Sequence, residues 1–382
     1  MSIKEGSPGA FLKKVSSSAR YRKFPLRAMF ELTYKCNFRC AHCYNVSDRQ
    51  KKELTTREIK DILLELKDAG CFYIGFTGGE PFMREDIFEI LDFAKINGFR
   101  ITILTNGYFI DKKTARGISS LGTSLNCVNI SVLGATRGTF EAITHKTGSY
   151  ENVLRAVSLL VDEKVAVQIK SVAMKPNRGE FLMIKRLADA RNVMFSYCAA
   201  LSPKTNGDRE PLKYQMSLSD IRKLEQELSG KGGPERERRL RLNLNAGDIG
   251  RKNPFKCQIG VSEAVISPYG EMNLCSEVSY PRYDILRGSV KDGWDKIKAI
   301  VRELEFSEDY SCGSCVLSTF CHWCPAMGYA LSGSLAKCGK EAMEMALKEA
   351  RGSVFWDKIQ PIWNRQKDKI GFGDDVNKRK RI

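Results

Sequence analysis

The chain has 382 residues, of which 42% are hydrophobic and 28% charged, and a formal net charge of +17. That length holds one large domain or two to three smaller ones, and the composition suits a packed core under a charged surface. No run reaches the roughly 18 apolar residues of a membrane span, and residues 1–27 lack a secretory apolar core. A cytoplasmic protein with no membrane partner is expected. The basic residues are dispersed apart from "PERERRLR" and the terminal "NKRKRI". No DNA- or RNA-binding signature accompanies them, so nucleic acid is not an expected partner.

From residue 28 onward, strand-like and helix-like segments alternate. "AMFELTY" (28–34) reads as a strand and runs into a cysteine loop. "TTREIKDILLELKDAG" has helical period and stops at Gly70. "FYIGFTGGE" is a buried strand ending in glycines, and "REDIFEILDFAKING" is a second helix. Then come the strand "RITILTNG", the weak helix "DKKTARGISSLG", the strand "VNISVLG", the helix "SYENVLRAVSLLVDEK", the strand "VQIKSVAM", the helix "RGEFLMIKRLADAR" and the strand "VMFSYCA". Six βα units in sequence predict a parallel sheet covered by helices, spread open or curled into an incomplete barrel. The polar motifs fall just after strand ends, on the rim where α/β folds place ligands.

Residues 201–256 form a polar bridge, in which 216–230 reads as one amphipathic helix capped by Ser217 or Ser219. A cysteine-rich module follows at 257–345, with "EAVISPYGEMNLC" predicted as a hairpin around Pro268–Gly270. The segment 346–382 carries the end of a helix, "KEAMEMALKEAR", then a stretch with Trp356 and Trp363 and a basic tail.

The chain contains 13 cysteines. A disulfide scaffold would be short and secreted, so clustered thiols point instead to metal or catalysis. Three lie within "YKCNFRCAHCYN" at Cys36, Cys40 and Cys43, and seven lie between 257 and 338. Cys71, Cys127 and Cys198 adjoin apolar strand-like stretches and read as small buried hydrophobes. A structural zinc site closes with four ligands, whereas three thiols leave a position open. A cubane cluster held by three cysteines leaves one iron to bind something else.

Cys36-x₃-Cys40-x₂-Cys43 after a first strand, followed by "FTGGEP", resembles the radical SAM superfamily. The resemblance implies a partial (β/α)₆ TIM-like barrel and a [4Fe–4S] cluster whose open iron takes S-adenosyl-L-methionine. It places His42 near the adenine. It gives the turn of Gly78, Gly79, Glu80 and Pro81 to the SAM amino group, the glycines permitting close backbone approach. Thr105, Asn106, Ser131 and Lys170, at or near strand ends, are further candidate SAM contacts. The alternative for the loop is a zinc or redox cysteine cluster.

The later cysteines resemble the SPASM extension of that superfamily. This chain has Cys257-x₁₂-Gly270-x₄-Cys275, then Cys312-x₂-Cys315-x₅-Cys321-x₂-Cys324, then Cys338, with one spacer a residue short of the family pattern. The resemblance implies a small cysteine-rich α+β iron–sulfur domain with two auxiliary [4Fe–4S] clusters. Cys312, Cys315, Cys321 and Cys338 would hold one. Cys257, Cys275 and Cys324 would hold the other, with its fourth ligand unassigned. Two zinc knuckles are the alternative.

The implied activity is reductive cleavage of SAM to a 5′-deoxyadenosyl radical that abstracts a substrate hydrogen. The leading expectation is oxidation or crosslinking of a ribosomally made peptide. The alternatives are a sulfatase-type Cys/Ser oxidising maturase, disfavoured by Ser276 where those relatives carry Asp, and tailoring of a haem-like or quinone-like cofactor precursor. Expected partners are a peptide or small-molecule substrate and an electron donor such as flavodoxin or ferredoxin. Residues 1–27 are too few for a leader-peptide-binding domain, so a separate leader-binding protein is expected.

Overall fold

The computed structural model describes residues 18, 23–46, 51–229, 254–255, 257–321 and 324–370. The basic runs "PERERRLR" and "NKRKRI" and most of 1–27 lie outside the described residues. Two compact units form: one from 1–206, 210–216 and 258–298, the other from 207–209, 217–257 and 299–382.

The first unit is built on nine strands: β1 (Arg27–Thr33), β2 (Tyr73–Gly78), β3 (Arg100–Thr105), β4 (Leu125–Ser131), β5 (Val167–Val172), β6 (Met194–Cys198), β7 (Glu263–Ile266), β8 (Glu271–Cys275) and β9 (Val278–Asp284). They lie in the order β6-β5-β4-β3-β2-β1-β7-β8-β9. Strands β1 to β7 pair in parallel, and β8 and β9 return antiparallel. Between the parallel strands run α1 (Thr56–Asp68), α2 (Ile87–Ile96), α3 (Lys112–Ser119), α4 (Arg137–Thr144), α5 (Ser149–Asp162) and α6 (Phe181–Asp189). All six expected βα strands are present. The helix α4 was not expected, because "RGTFEAIT" is short and carries two threonines that weaken its helical signal.

Strand alternation sorts the side chains into two faces. Phe30, Ile74, Phe76, Ile101, Ile103, Val128, Ile130 and Ile169 share one parity and are at most 1% exposed. The other parity is polar: Glu31 and Thr77 pair in register, as do Asn129 and Gln168, and Lys170 and Ser196. An apolar face covered by helices and a polar face turned to the interior is what a partial barrel requires. The curl is closed by Ser202 Oγ, just beyond β6, which donates to Glu277 on the β8–β9 turn at 2.5 Å. Those segments lie at opposite ends of the strand order.

The hairpin expected around Pro268–Gly270 is β7–β8. Its partition differs from the expected boundary at 257. Because β7 pairs directly with β1, residues 258–298 pack with the barrel rather than with the later cysteines. The linking helix α7 (Leu218–Ser229) starts at Ser217, whose Oγ accepts from the Asp220 N–H at 3.2 Å. Next come α8 (Val290–Glu305), then α9 (Pro325–Ser332), α10 (Lys340–Arg351) and α11 (Trp356–Gln366). In the second unit, Val316, Leu317 and Phe320 pack with Ala346, Ile359 and Trp363 in one apolar core.

Candidate active site and cysteine centres

The loop of Cys36, Cys40 and Cys43 leaves the end of β1. Its backbone is held by the last turn of α4: Arg39 N–H donates to the Thr144 carbonyl at 3.0 Å and Ala41 N–H to the Ile143 carbonyl at 2.9 Å. Carbonyls at a helix end have no partner within the helix, so the loop and helix satisfy each other. The Phe38 ring meets Tyr108 and Phe140 edge-on, pinning the loop centre. Burial pushes the Cys36 thiol up to about 11 and raises Cys40 and Cys43 as well. Neighbouring thiols add to the shifts of Cys36 and Cys40. Thiolates held there need a compensating positive centre, which fits a metal cluster. His42 is pushed down to about 4 by burial, and its Nδ1 has no partner among the described residues.

The turn after β2 lies against this loop. A Cβ on Gly78 would stand 2.3 Å from the Thr33 carbonyl oxygen, and one on Gly79 would stand 2.3 Å from that of Lys35. Gly78 also has φ +127, a conformation that favours glycine. The close approach these glycines permit is therefore to the chain's own backbone leaving β1. Gly79 N–H donates to Thr33 at 2.7 Å and Glu80 N–H to Lys35 at 2.9 Å. Pro81 opens the short helical turn that follows.

Glu80 is fully buried. Its Oε1 accepts from Thr105 Oγ1 at 2.7 Å and Phe82 N–H at 3.1 Å, and its Oε2 from Asn106 N–H at 2.7 Å. Burial still raises its pKa to about 7. The carboxylate thus locks the GGEP turn to the TNG turn after β3. Asn106 Nδ2 in turn donates to Asn37 Oδ1 at 2.7 Å and lies 3.9 Å from Cys36 Sγ. Ser131 and Lys170 stand side by side, paired in register across β4 and β5.

Three residues in this lattice were missed from sequence. Asn45 Nδ2 donates to the Gly78 carbonyl at 3.1 Å. Glu53 receives Tyr34 N–H at 2.7 Å and Thr33 Oγ1 at 2.8 Å. Arg84 grips Asp86 with two hydrogen bonds and donates to the Leu32 and Leu54 carbonyls at 3.2 and 3.0 Å. Only the positions of Asn45 and Arg84 beside motifs hinted at a role.

Cys312, Cys315, Cys321 and Cys338 line one cavity in the second unit, walled by Leu317, Met343, Ala346 and Ile370. Among the described residues no three His, Cys, Asp or Glu side chains form a group able to hold a single metal ion. Four soft donors around an apolar-walled hollow suit an iron–sulfur cluster by donor chemistry. Cys275 ends β8 in the first unit; Cys257 and Cys324 belong to the second. Cys324 Sγ accepts from Met327 N–H at 3.4 Å at the start of α9. Cys71 and Cys127 are buried, as expected, but Cys198 is exposed, because β6 is an edge strand and its inner face is uncovered.

Residues 30–188 match the family described as the Radical SAM superfamily. The chain is 25% identical over 329 residues to the AdoMet-dependent heme synthase of Methanosarcina barkeri, covering 81% of this chain and 93% of that protein. It is 27% identical over 331 residues to the antilisterial bacteriocin subtilosin biosynthesis protein AlbA of Bacillus subtilis, covering 80% and 68%. Two further relatives align along shorter segments, and there the chain spans less than half of their length. The crystal structure of Streptococcus suis SuiB bound to precursor peptide SuiA superposes with TM-score 0.64 at 16% identity, covering 88% of this chain and 81% of that one. The barrel and its three-thiol loop define a radical SAM enzyme. Residues 30–188 carry a radical SAM domain, and the chain continues into a SPASM-like cysteine-rich C-terminal region. That domain implies SAM and a [4Fe–4S] cluster. No described helix is long and apolar enough to cross a membrane.

Proposed function

We propose that this enzyme oxidises or crosslinks a ribosomally made peptide in the cytoplasm. The observation that carries the radical SAM reading is the lattice joining Cys36, Asn37, Asn106 and Glu80, which sets an open three-thiol loop beside two strand-end turns. When bound, the cofactor pair supplies reductive cleavage of SAM and abstraction of a substrate hydrogen. Cys36, Cys40 and Cys43 hold the cluster. Gly78, Gly79, Glu80 and Pro81 present the turn that receives the SAM amino acid end, and Thr105 and Asn106 keep it in place. His42 lies toward the adenine, and Ser131 and Lys170 offer polar contacts from the barrel interior. Preformed hydrogen bonds reduce the reorganisation needed when a charged cosubstrate enters.

In the second unit, Cys312, Cys315, Cys321 and Cys338 hold an auxiliary cluster around their shared cavity. The reading of Cys257, Cys275 and Cys324 as a second auxiliary set stands on spacing alone. A flavodoxin- or ferredoxin-type donor supplies the electron, and a separate protein presents the leader peptide.

The peptide reading is supported by the likeness to AlbA along most of both chains. A second reading, modification of a haem-like precursor, is favoured by the match over 93% of the heme synthase. The test is anaerobic turnover of the reconstituted enzyme with SAM and reductant, offering a peptide encoded beside its gene or an iron porphyrin. The peptide reading expects 5′-deoxyadenosine matched by a peptide lighter by two hydrogens. Modification of the porphyrin alone overturns it.

A further inference from the structure

The C-terminal helices α10 and α11 lie beyond the last cysteine of the motif, yet they reach the four-thiol cavity. Met343 and Ala346 of α10 and Ile370 after α11 form part of its wall. Ala342, Ala346 and Ala350 put small side chains on one face of α10, and all three are buried in the core shared with Cys321. Small residues there allow close helix approach, and the apolar wall shields the thiols in part: Cys321 is buried, and Cys312, Cys315 and Cys338 are half-buried.

One polar contact stands out in this cover. Gln366, at the end of α11, donates from Nε2 to the Ser314 carbonyl at 2.7 Å. Its Oε1 accepts from Val316 N–H at 3.0 Å. The two partners flank Cys315 on either side. Val316 begins a short 3₁₀ turn whose preceding residue, Cys315, supplies no side-chain cap. The first N–H of such a turn has no partner within it. Without Gln366, that donor would be free to turn toward the adjacent thiolate or the cluster sulfides. Hydrogen bonds to cluster sulfurs and exposure to solvent are among the factors that set the reduction potential.

We propose that Gln366 is a positioning residue for the cluster at Cys312, Cys315, Cys321 and Cys338, and that α10 and α11 form its cover. Gln366 holds the Cys312–Cys315 loop through both backbone partners and removes the Val316 N–H from the sulfurs. Together with the apolar wall this keeps the cluster hard to reduce and closed to exchange. The inference rests on the reading of those four cysteines as ligands.

The experiment uses the full chain with Cys36, Cys40 and Cys43 changed to Ala, reconstituted anaerobically with iron and sulfide. Cys315→Ala identifies the signal by its loss; if iron content and spectrum do not change, the ligand reading itself fails. In Gln366→Ala, the midpoint should move positive by about 59 mV, a tenfold shift in a one-electron equilibrium. Iron release to ferrozine should be several-fold faster. Gln366→Glu keeps an acceptor for Val316 and adds negative charge, so its midpoint should stay or fall. A merely structural role would move both variants alike. If Gln366→Ala does not fold, Ile370→Ala, which thins the cover and leaves Gln366 in place, should still speed iron release. Unchanged potential and release in Gln366→Ala, equal shifts in the Ala and Glu variants, or unchanged release in Ile370→Ala overturn the proposal.

Discussion

Glu80 and Thr105 meet at 2.7 Å across the ends of β2 and β3, and the same carboxylate takes the Asn106 N–H at 2.7 Å. A residue expected to wait for the SAM ammonium is thus already the knot between two turns. Glu80→Gln exchanges one acceptor oxygen for an NH₂ and sets it against a backbone or hydroxyl donor. A hydrogen bond to a charged group contributes about 1.5–3 kcal/mol. Equilibrium dialysis should show SAM affinity reduced by roughly ten- to a hundredfold, at a factor of ten per 1.4 kcal/mol. Urea denaturation of the cluster-free protein should show a stability loss as well. Weakened SAM binding with no change in stability would mean the carboxylate serves the ligand alone.

Changing Cys36, Cys40 and Cys43 together to Ala should abolish 5′-deoxyadenosine formation and leave iron in the second unit. The thiols that line its cavity belong to a different core from the loop. Complete loss of iron from the triple variant would contradict separate sites.

Gly79→Ala places a Cβ 2.3 Å from the Lys35 carbonyl oxygen, which belongs to backbone and has little room to move. Overpacking of this kind costs about 1–3 kcal/mol. It should also separate the GGEP turn from the cysteine loop and weaken SAM binding. Gly98→Ala is the control: φ is +83 and nothing lies within 4 Å, so only backbone strain of about 1–2 kcal/mol is expected, with SAM binding intact. Equal loss of SAM binding in both variants would show that packing against Lys35 is not the cause.

Glu31 is buried on the polar face of β1, and Tyr34 Oη donates to its Oε2 at 2.8 Å. Its Oε1 finds no partner among the described residues. Burial raises its pKa from 4.5 to about 7, and the Tyr34 hydrogen bond opposes that shift. Between those values the folded protein holds a proton that the unfolded chain releases. Stability from this group is therefore complete below pH 4.5 and is lost as pH rises through about 7. The stability of the parent relative to Glu31→Gln should fall by up to about 1.4 kcal/mol per pH unit in that window and level off above it. Paired denaturant melts from pH 5 to 8 measure the difference, and a flat or rising trend would refute the shift.

The barrel was legible because its signals are local. Apolar runs such as "YIGF" and "RITIL" announce buried strands, and "TTREIKDILLELKD" carries both helical period and a capping box between Thr55 and Glu58 that the structure contains. The cysteine spacings were equally plain, since they are read directly along the chain, and Cys312, Cys315, Cys321 and Cys338 line one cavity. The helix α4 and the exposure of Cys198 were not legible. The first is stabilised by the cysteine loop capping its end, and the second depends on which strand lies at the edge of the sheet.

The amino-acid sequence by itself determined the βα repeat, the three-thiol loop, the GGEP turn and the concentration of cysteines after residue 256. Tertiary structure decided the rest. It showed that Gly78 and Gly79 are small because they lie on the backbone leaving β1, and that the carboxylate of Glu80 is shared among three donors. It placed the β7–β9 strands in the barrel sheet and Gln366 on both sides of Cys315. Each of these joins residues remote along the chain through hydrogen bonds or van der Waals contact. Such pairings follow from how strands and helices pack and leave no periodic trace in a single sequence.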